Sequence, residues 1–144
     1  MEFDEFAERA ERVESVSGDH EKVEEVASLL SEADDVRVVA RFVQGRVFPA
    51  WDDRKLNVGP SLLYDALALA GDASADEVED RVAETGDVGD VARELGFGGQ
   101  QTFGSSSETV SDVYDAFESL ASKDGEGSHE TKTRELGRLF MDAS

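Results

Sequence analysis

The sequence predicts an all-α fold of about eight helices. Three observations carry that prediction. Apolar residues recur at three- and four-residue spacings almost throughout; no segment sustains a clean apolar–polar alternation; and capping residues, Pro and Gly fall at the ends of the periodic runs. Phe3, Phe6, Ala7, Ala10 and Val13 make a first stripe, and Val23, Val26, Ala27 and Leu30 a second after the break at Ser17-Gly18. Between Val36 and Val47 a strand is conceivable, but Arg37, Val39 and Arg41 do not form a polar face, and Val39, Phe42, Val43 and Val47 suit a helix better.

A connector follows that holds both prolines and the single tryptophan. Pro49 and Pro60 each fix a backbone angle and remove a donor, and Gly59-Pro60 places Pro60 in the first turn of the next helix. Trp51 and Phe48 are expected as core anchors of this connector, with Arg46, Arg54 and Lys55 as a modest basic cluster left on the surface. Leu62, Leu63, Ala66, Leu67 and Ala70 continue the fourth helix. Ser74 and Glu77 have capping-box spacing before a thinner helix through Val78 and Val82. Val88, Val91, Ala92 and Leu95 form a short helix behind Asp87. Residues 96–107 read as a Gly- and Ser-rich loop carrying Phe97 and Phe103. Thr109 and Asp112 open a helix through Val113, Phe117 and Leu120, and after a loop at Lys123–Gly127 a last helix carries Leu136, Leu139 and Phe140. No internal repeat is present.

The composition of the 144 residues suits one domain with a real core, since Leu, Val and Phe make up about a quarter of the chain. Without cysteine there is neither a disulfide framework nor a thiolate metal site. No apolar run approaches the roughly 20 residues of a membrane span, and the acidic start is unlike a signal peptide, so a cytoplasmic protein is expected. The net charge of -20, from 34 acids and 14 basic residues, argues by itself against nucleic acid. The acids are spread over nearly every helix, however, and only four of the basic residues are lysine. That pattern fits a protein from a cell with very high internal salt, where about 1 M salt shortens the screening length to about 3 Å. An ordinary acidic interaction domain fits the composition as well.

Three stretches carry a resemblance. Gly45-Arg-Val-Phe-Pro-Ala-Trp51 with Leu56-Asn-Val-Gly59 and Leu62-Leu63, then Thr85-Gly-Asp-Val-Gly-Asp-Val-Ala92, then Gly127-Ser128 with Lys132 and Leu139-Phe140, occur in consistent order. Together they resemble the N-terminal DNA-binding domain of archaeal and eukaryotic ATP-dependent DNA ligases, over nearly the whole chain. The resemblance implies residues 1–144 as a single, C-terminally incomplete helical domain of that type, with the nucleotidyltransferase and OB-fold domains absent from this sequence. It implies a monomer that grips nicked double-stranded DNA for sealing in replication, repair and recombination. A chain cut off within the domain is expected to expose Leu136, Leu139 and Phe140.

Catalytic residues are not expected. The Lys-x-Asp-Gly adenylation motif is missing, and Lys123-Asp124-Gly125 lacks the intervening residue, so this chain alone should be inactive. ATP and Mg²⁺ are implied for the full-length family enzyme, with no cofactor or metal held here; His20 and His129 lack metal-ligand spacing. For binding, Ser17-Gly18-Asp19 and Gly127-Ser128 each precede a helix whose first N–H groups favour phosphate. The family uses these turns against the minor-groove backbone. The expected DNA contacts are therefore Ser17, His20, Lys22, Ser128, His129, Thr131 and Lys132, although Asp19 and Glu21 make the first turn less basic than the family pattern. Gln100, Thr102 and Phe103 are similar to a sliding-clamp docking segment of some archaeal ligases, with Gly104 in place of its second aromatic. The alternative function is an acidic helical protein-interaction module, for example for clamp docking, without DNA binding.

Overall fold

The computed structural model describes residues 1–95 and 108–142. Among them it forms eight helices: α1 (Phe3–Ser15), α2 (Asp19–Glu32), α3 (Val36–Val43), α4 (Pro60–Ala70), α5 (Ala75–Thr85), α6 (Val88–Glu94), α7 (Val110–Ser122) and α8 (Ser128–Asp142). The described residues contain no strand, only an isolated antiparallel bridge between Glu2 and Thr109, so the fold is all-α as expected. Among them no helix is long and apolar enough to cross a membrane.

Local chemistry starts these helices where the sequence places them. Asp35 caps α3, its carboxylate accepting the Arg37 and Val38 N–H groups at 3.1 and 3.3 Å, and this decides the Val36–Val43 segment for helix. Pro60 occupies the first turn of α4 behind Gly59. Ser74 Oγ accepts the Glu77 N–H at 3.2 Å. At α7 the capping box is reciprocal: Asp112 Oδ2 accepts from Thr109 N–H and Oγ1 at 3.0 and 2.7 Å, while Thr109 Oγ1 accepts the Asp112 N–H at 3.1 Å. Those bonds hold the Asp112 carboxyl below its ordinary range, the side-chain bond from Thr109 being the larger cause. The Gly-Asp-Val-Gly stretch links α5 to α6. Gly86 ends α5 in the left-handed region at φ +75°, and Asp87 caps α6 through the Gly89 N–H at 2.6 Å. A Cβ on Gly89 would lie 3.0 Å from Asp87 Oδ1, so a side chain there would press on the capping carboxylate.

The chain forms two compact units. The first runs from Met1 to Lys55 and takes in the start of α7, to Phe117. Its core is Phe6, Leu29, Val38, Val39 and Val110, bordered by Phe3, Phe42 and Tyr114. Rings of Phe3, Phe6, Phe42 and Phe117 follow one another at centroid spacings of 5.8, 5.9 and 6.0 Å. Val23, expected on the buried stripe of α2, is exposed; Leu29 is its buried residue. The second unit begins at Leu56 and includes α4, α5, α6, the end of α7 and α8. One core cluster here is Leu67, Ala68, Val78 and Val91, with Leu63, Tyr64, Val82 and Phe140 packed against it.

Within the second unit α8 lies on α4. A Cβ on the buried Gly137 would stand 3.2 Å from the Ala66 carbonyl oxygen, so the missing side chain permits this approach. The packing corrects one expectation. Leu136 is buried, Leu139 is half-buried and Phe140 joins the core, because this face of α8 turns onto α4; Met141 and Leu69 are the exposed apolar side chains.

Candidate nucleic-acid interface

The connector after α3 is staked down at both ends. Gly45, at φ +69°, lets the Gly45 and Arg46 N–H groups bond back to the Phe42 and Arg41 carbonyls at 2.9 Å each, closing α3 with a Schellman turn. Arg41 Nε donates to the Val47 carbonyl at 3.0 Å, and its guanidinium lies 5.3 Å from the Tyr114 ring centre. Phe48 is 8% exposed, meets Tyr114 edge-on at 6.5 Å, and is covered by the Arg54 guanidinium at 4.3 Å. Arg54 also grips Asp52, donating to Oδ2 through Nε and Nη2 at 2.9 and 2.8 Å, while its N–H donates to Oδ1 at 3.0 Å. These bonds from Arg54 hold the Asp52 carboxyl below its ordinary range.

Phe48 is thus the anchor expected of it, and Trp51 is not. The Asp52 N–H reaches the Pro49 carbonyl at 3.0 Å and closes a tight turn, which presents the indole outward at 86% exposure. Two aromatics on either side of Pro49 look alike in sequence. The turn sends one inward and the other to solvent.

At the start of α2, Gly18 is the N-cap and no side chain caps the first turn. Ser17 and His20 are exposed, and Lys22 is half-buried. His20 Nε2 lies 3.2 Å from Glu24 Oε1, one turn along. Asp19 and Glu21 add two carboxylates to the same turn.

At the start of α8, Gly125 and Gly127 both take positive φ, +86° and +78°, and shape the bend. Ser128 is the first helical residue, and the Thr131 N–H bonds back to the Gly127 carbonyl at 3.2 Å, so Gly127 occupies the cap position. Three polar side chains at this end of α8 are engaged within the protein. Thr131 Oγ1 donates to the Gly127 carbonyl at 3.2 Å. His129 Nε2 lies 3.0 Å from Asp65 Oδ2 on α4. Lys132 is 4% exposed, and its Nζ donates to the Leu56 carbonyl at 2.8 Å.

Lys132 therefore does not stand on the surface as a phosphate-contacting cation. It fastens α8 to the connector, its stem buried and its ammonium satisfied by a backbone oxygen. Asp65 and the Leu56 carbonyl were not visible as partners in the sequence, because they lie 64 and 76 residues from His129 and Lys132 and follow no local spacing. Among the described residues, no group of three His, Cys, Asp or Glu side chains is arranged to hold a metal. The clamp-docking candidates Gln100, Thr102 and Phe103 lie outside the described residues.

Comparison with known proteins places this arrangement. The family model described as "DNA ligase N terminus" matches residues 2–144. A DNA ligase of Natronomonas pharaonis is 48% identical over 97% of this chain and 27% of its own length. One from Haloferax volcanii is 46% identical over 97% of this chain and 26% of the relative. A third, from Methanoculleus marisnigri, is 39% identical over 99% and 27%. The chain thus spans about a quarter of the length of the curated relatives it matches. With its three motifs serving as an α3 stop, an α5–α6 cap and the α8 bend, the chain belongs to the DNA ligase N-terminus family.

Proposed function

We propose that this chain is the DNA-gripping portion of an ATP-dependent DNA ligase, acting as a monomer on nicked duplex in replication, repair and recombination. The observation that carries this reading is a shared feature of α2 and α8. Each begins behind a glycine, Gly18 or Gly127, which brings no side chain of its own to the first-turn N–H groups that a phosphate oxygen would approach. Ser17, His20 and Lys22 are the contacts proposed at the first turn, and Ser128, His129 and Thr131 those at the second. Lys132 supports the second contact from behind, by positioning α8. Such contacts reach backbone, not base edges, and bind without sequence preference.

The acidic surface is compatible with this role in molar salt, where repulsion beyond a few ångströms is screened. Several of the similar ligases come from haloarchaea, which supports the same reading of the composition. Nucleotide transfer, with ATP and Mg²⁺, is assigned to parts of the ligase beyond these residues, and the setting is the cytoplasm. Fluorescence anisotropy with labelled nicked and intact duplex, over a salt series into the molar range, tests the proposal. Saturable binding that favours the nicked duplex supports it. A folded sample that binds neither duplex at any salt refutes it and favours an acidic protein-interaction module.

A further inference from the structure

We infer that the Pro49–Lys55 turn is a second nucleic-acid contact, in which Trp51 stacks on an unpaired base while Arg46 and Lys55 hold neighbouring phosphates. The inference rests on the proposal that nucleic acid is the partner, and adds a class of ligand: strand with at least one base out of the duplex stack.

Charge is the first argument. Residues 36–55 carry five basic side chains, Arg37, Arg41, Arg46, Arg54 and Lys55, against two acids, Asp52 and Asp53. Elsewhere acids dominate, since the whole chain carries -20. This is the most basic stretch of its length, and Arg54 already neutralises Asp52. Exposure is the second argument. An indole in water at 86% exposure leaves apolar surface unburied, and a base stacked on it removes that surface from water on both partners. Rigidity is the third. Phe48 under Arg54, Arg41 on Val47 and the Pro49–Asp52 turn hold the segment in place, so little ordering is needed on binding. Paired bases are already stacked on each other, whereas a displaced or frayed nucleotide offers a free π face.

Trp51 is the only tryptophan, so its emission reports the contact directly. The full chain in molar salt is titrated with short oligo-dT, with flush nicked duplex, and with nicked duplex carrying an unpaired dT flap. Saturable quenching of the indole by oligo-dT and by the flap is expected. Trp51→Ala should weaken flap binding roughly tenfold, within the range for loss of one stacked base. Flush-nick affinity, read by anisotropy, should change much less. If the flush nick binds but the flap leaves the indole emission unchanged, the inference falls while the proposed function stands. If no DNA binds and an acidic peptide quenches the indole instead, both fall, in favour of a protein partner. The indole's exposure makes misfolding of Trp51→Ala unexpected; should its urea midpoint fall, the quenching of the parent chain and binding by Trp51→Phe decide the matter.

Discussion

Replacing Lys132 separates a positioning role from a direct phosphate contact. Lys132→Met keeps most of the buried stem and removes the ammonium that donates to the Leu56 carbonyl at 2.8 Å. A hydrogen bond to a charged group contributes about 1.5–3 kcal/mol net. Removing a buried cation also recovers part of its desolvation cost, so the expected loss is about 1–2 kcal/mol. Lys132→Ala additionally strips three methylenes from a packed site at about 0.8 kcal/mol each, for a total near 4 kcal/mol. Urea unfolding of parent, Met and Ala variants in molar salt measures both. Anisotropy with nicked duplex, under conditions where the Met variant is fully folded, supplies the second readout. There the slope of log affinity against log salt should match the parent. A phosphate-contacting lysine would lower that slope by about one when removed. A Met variant as stable as the parent, with reduced affinity and a shallower slope, would refute the positioning role.

Other consequences are as direct. Phe48→Ala should cost about 3–4 kcal/mol by urea denaturation, because it empties the space beneath Arg54 and beside Tyr114, whereas Trp51→Ala should stay within about 0.5 kcal/mol of the parent. The Asp112 carboxyl is held below its ordinary range in the folded chain, so its contribution is fully present above the unfolded value near pH 4 and is lost as pH falls through the folded value. The urea midpoint of Asp112→Asn should therefore fall less steeply than the parent's below about pH 4, and an equal fall would remove the Thr109 capping bonds from the account. Incubated with radiolabelled ATP and Mg²⁺, this chain alone should acquire no covalent label, since it holds no Lys-x-Asp-Gly sequence; a labelled band would overturn the proposal that nucleotide transfer lies outside these residues.

Helix positions were legible because their signals are local. Pro60, Ser74, Asp87 and the Thr109–Asp112 pair each bond to, or constrain, backbone within three residues, so the sequence order alone displays them. The glycines of the three motifs were legible as turns for a similar reason, three of them (Gly45, Gly86 and Gly127) taking positive φ. The candidate site was less so. Ser17, His20 and Lys22 fall where the sequence places them, at an uncapped helix start. His129 and Lys132 also fall in their expected turn, but their side chains turn to Asp65 and Leu56.

The sequence by itself determined the helical class, the eight segments and the family, because capping, periodicity and turn chemistry act over a few residues. Only the tertiary structure decided that Phe48 goes inward and Trp51 outward, and that Lys132 is buried. Those outcomes depend on Tyr114 and on the Leu56 carbonyl, groups distant in the chain, and no short spacing encodes which of them a side chain will meet.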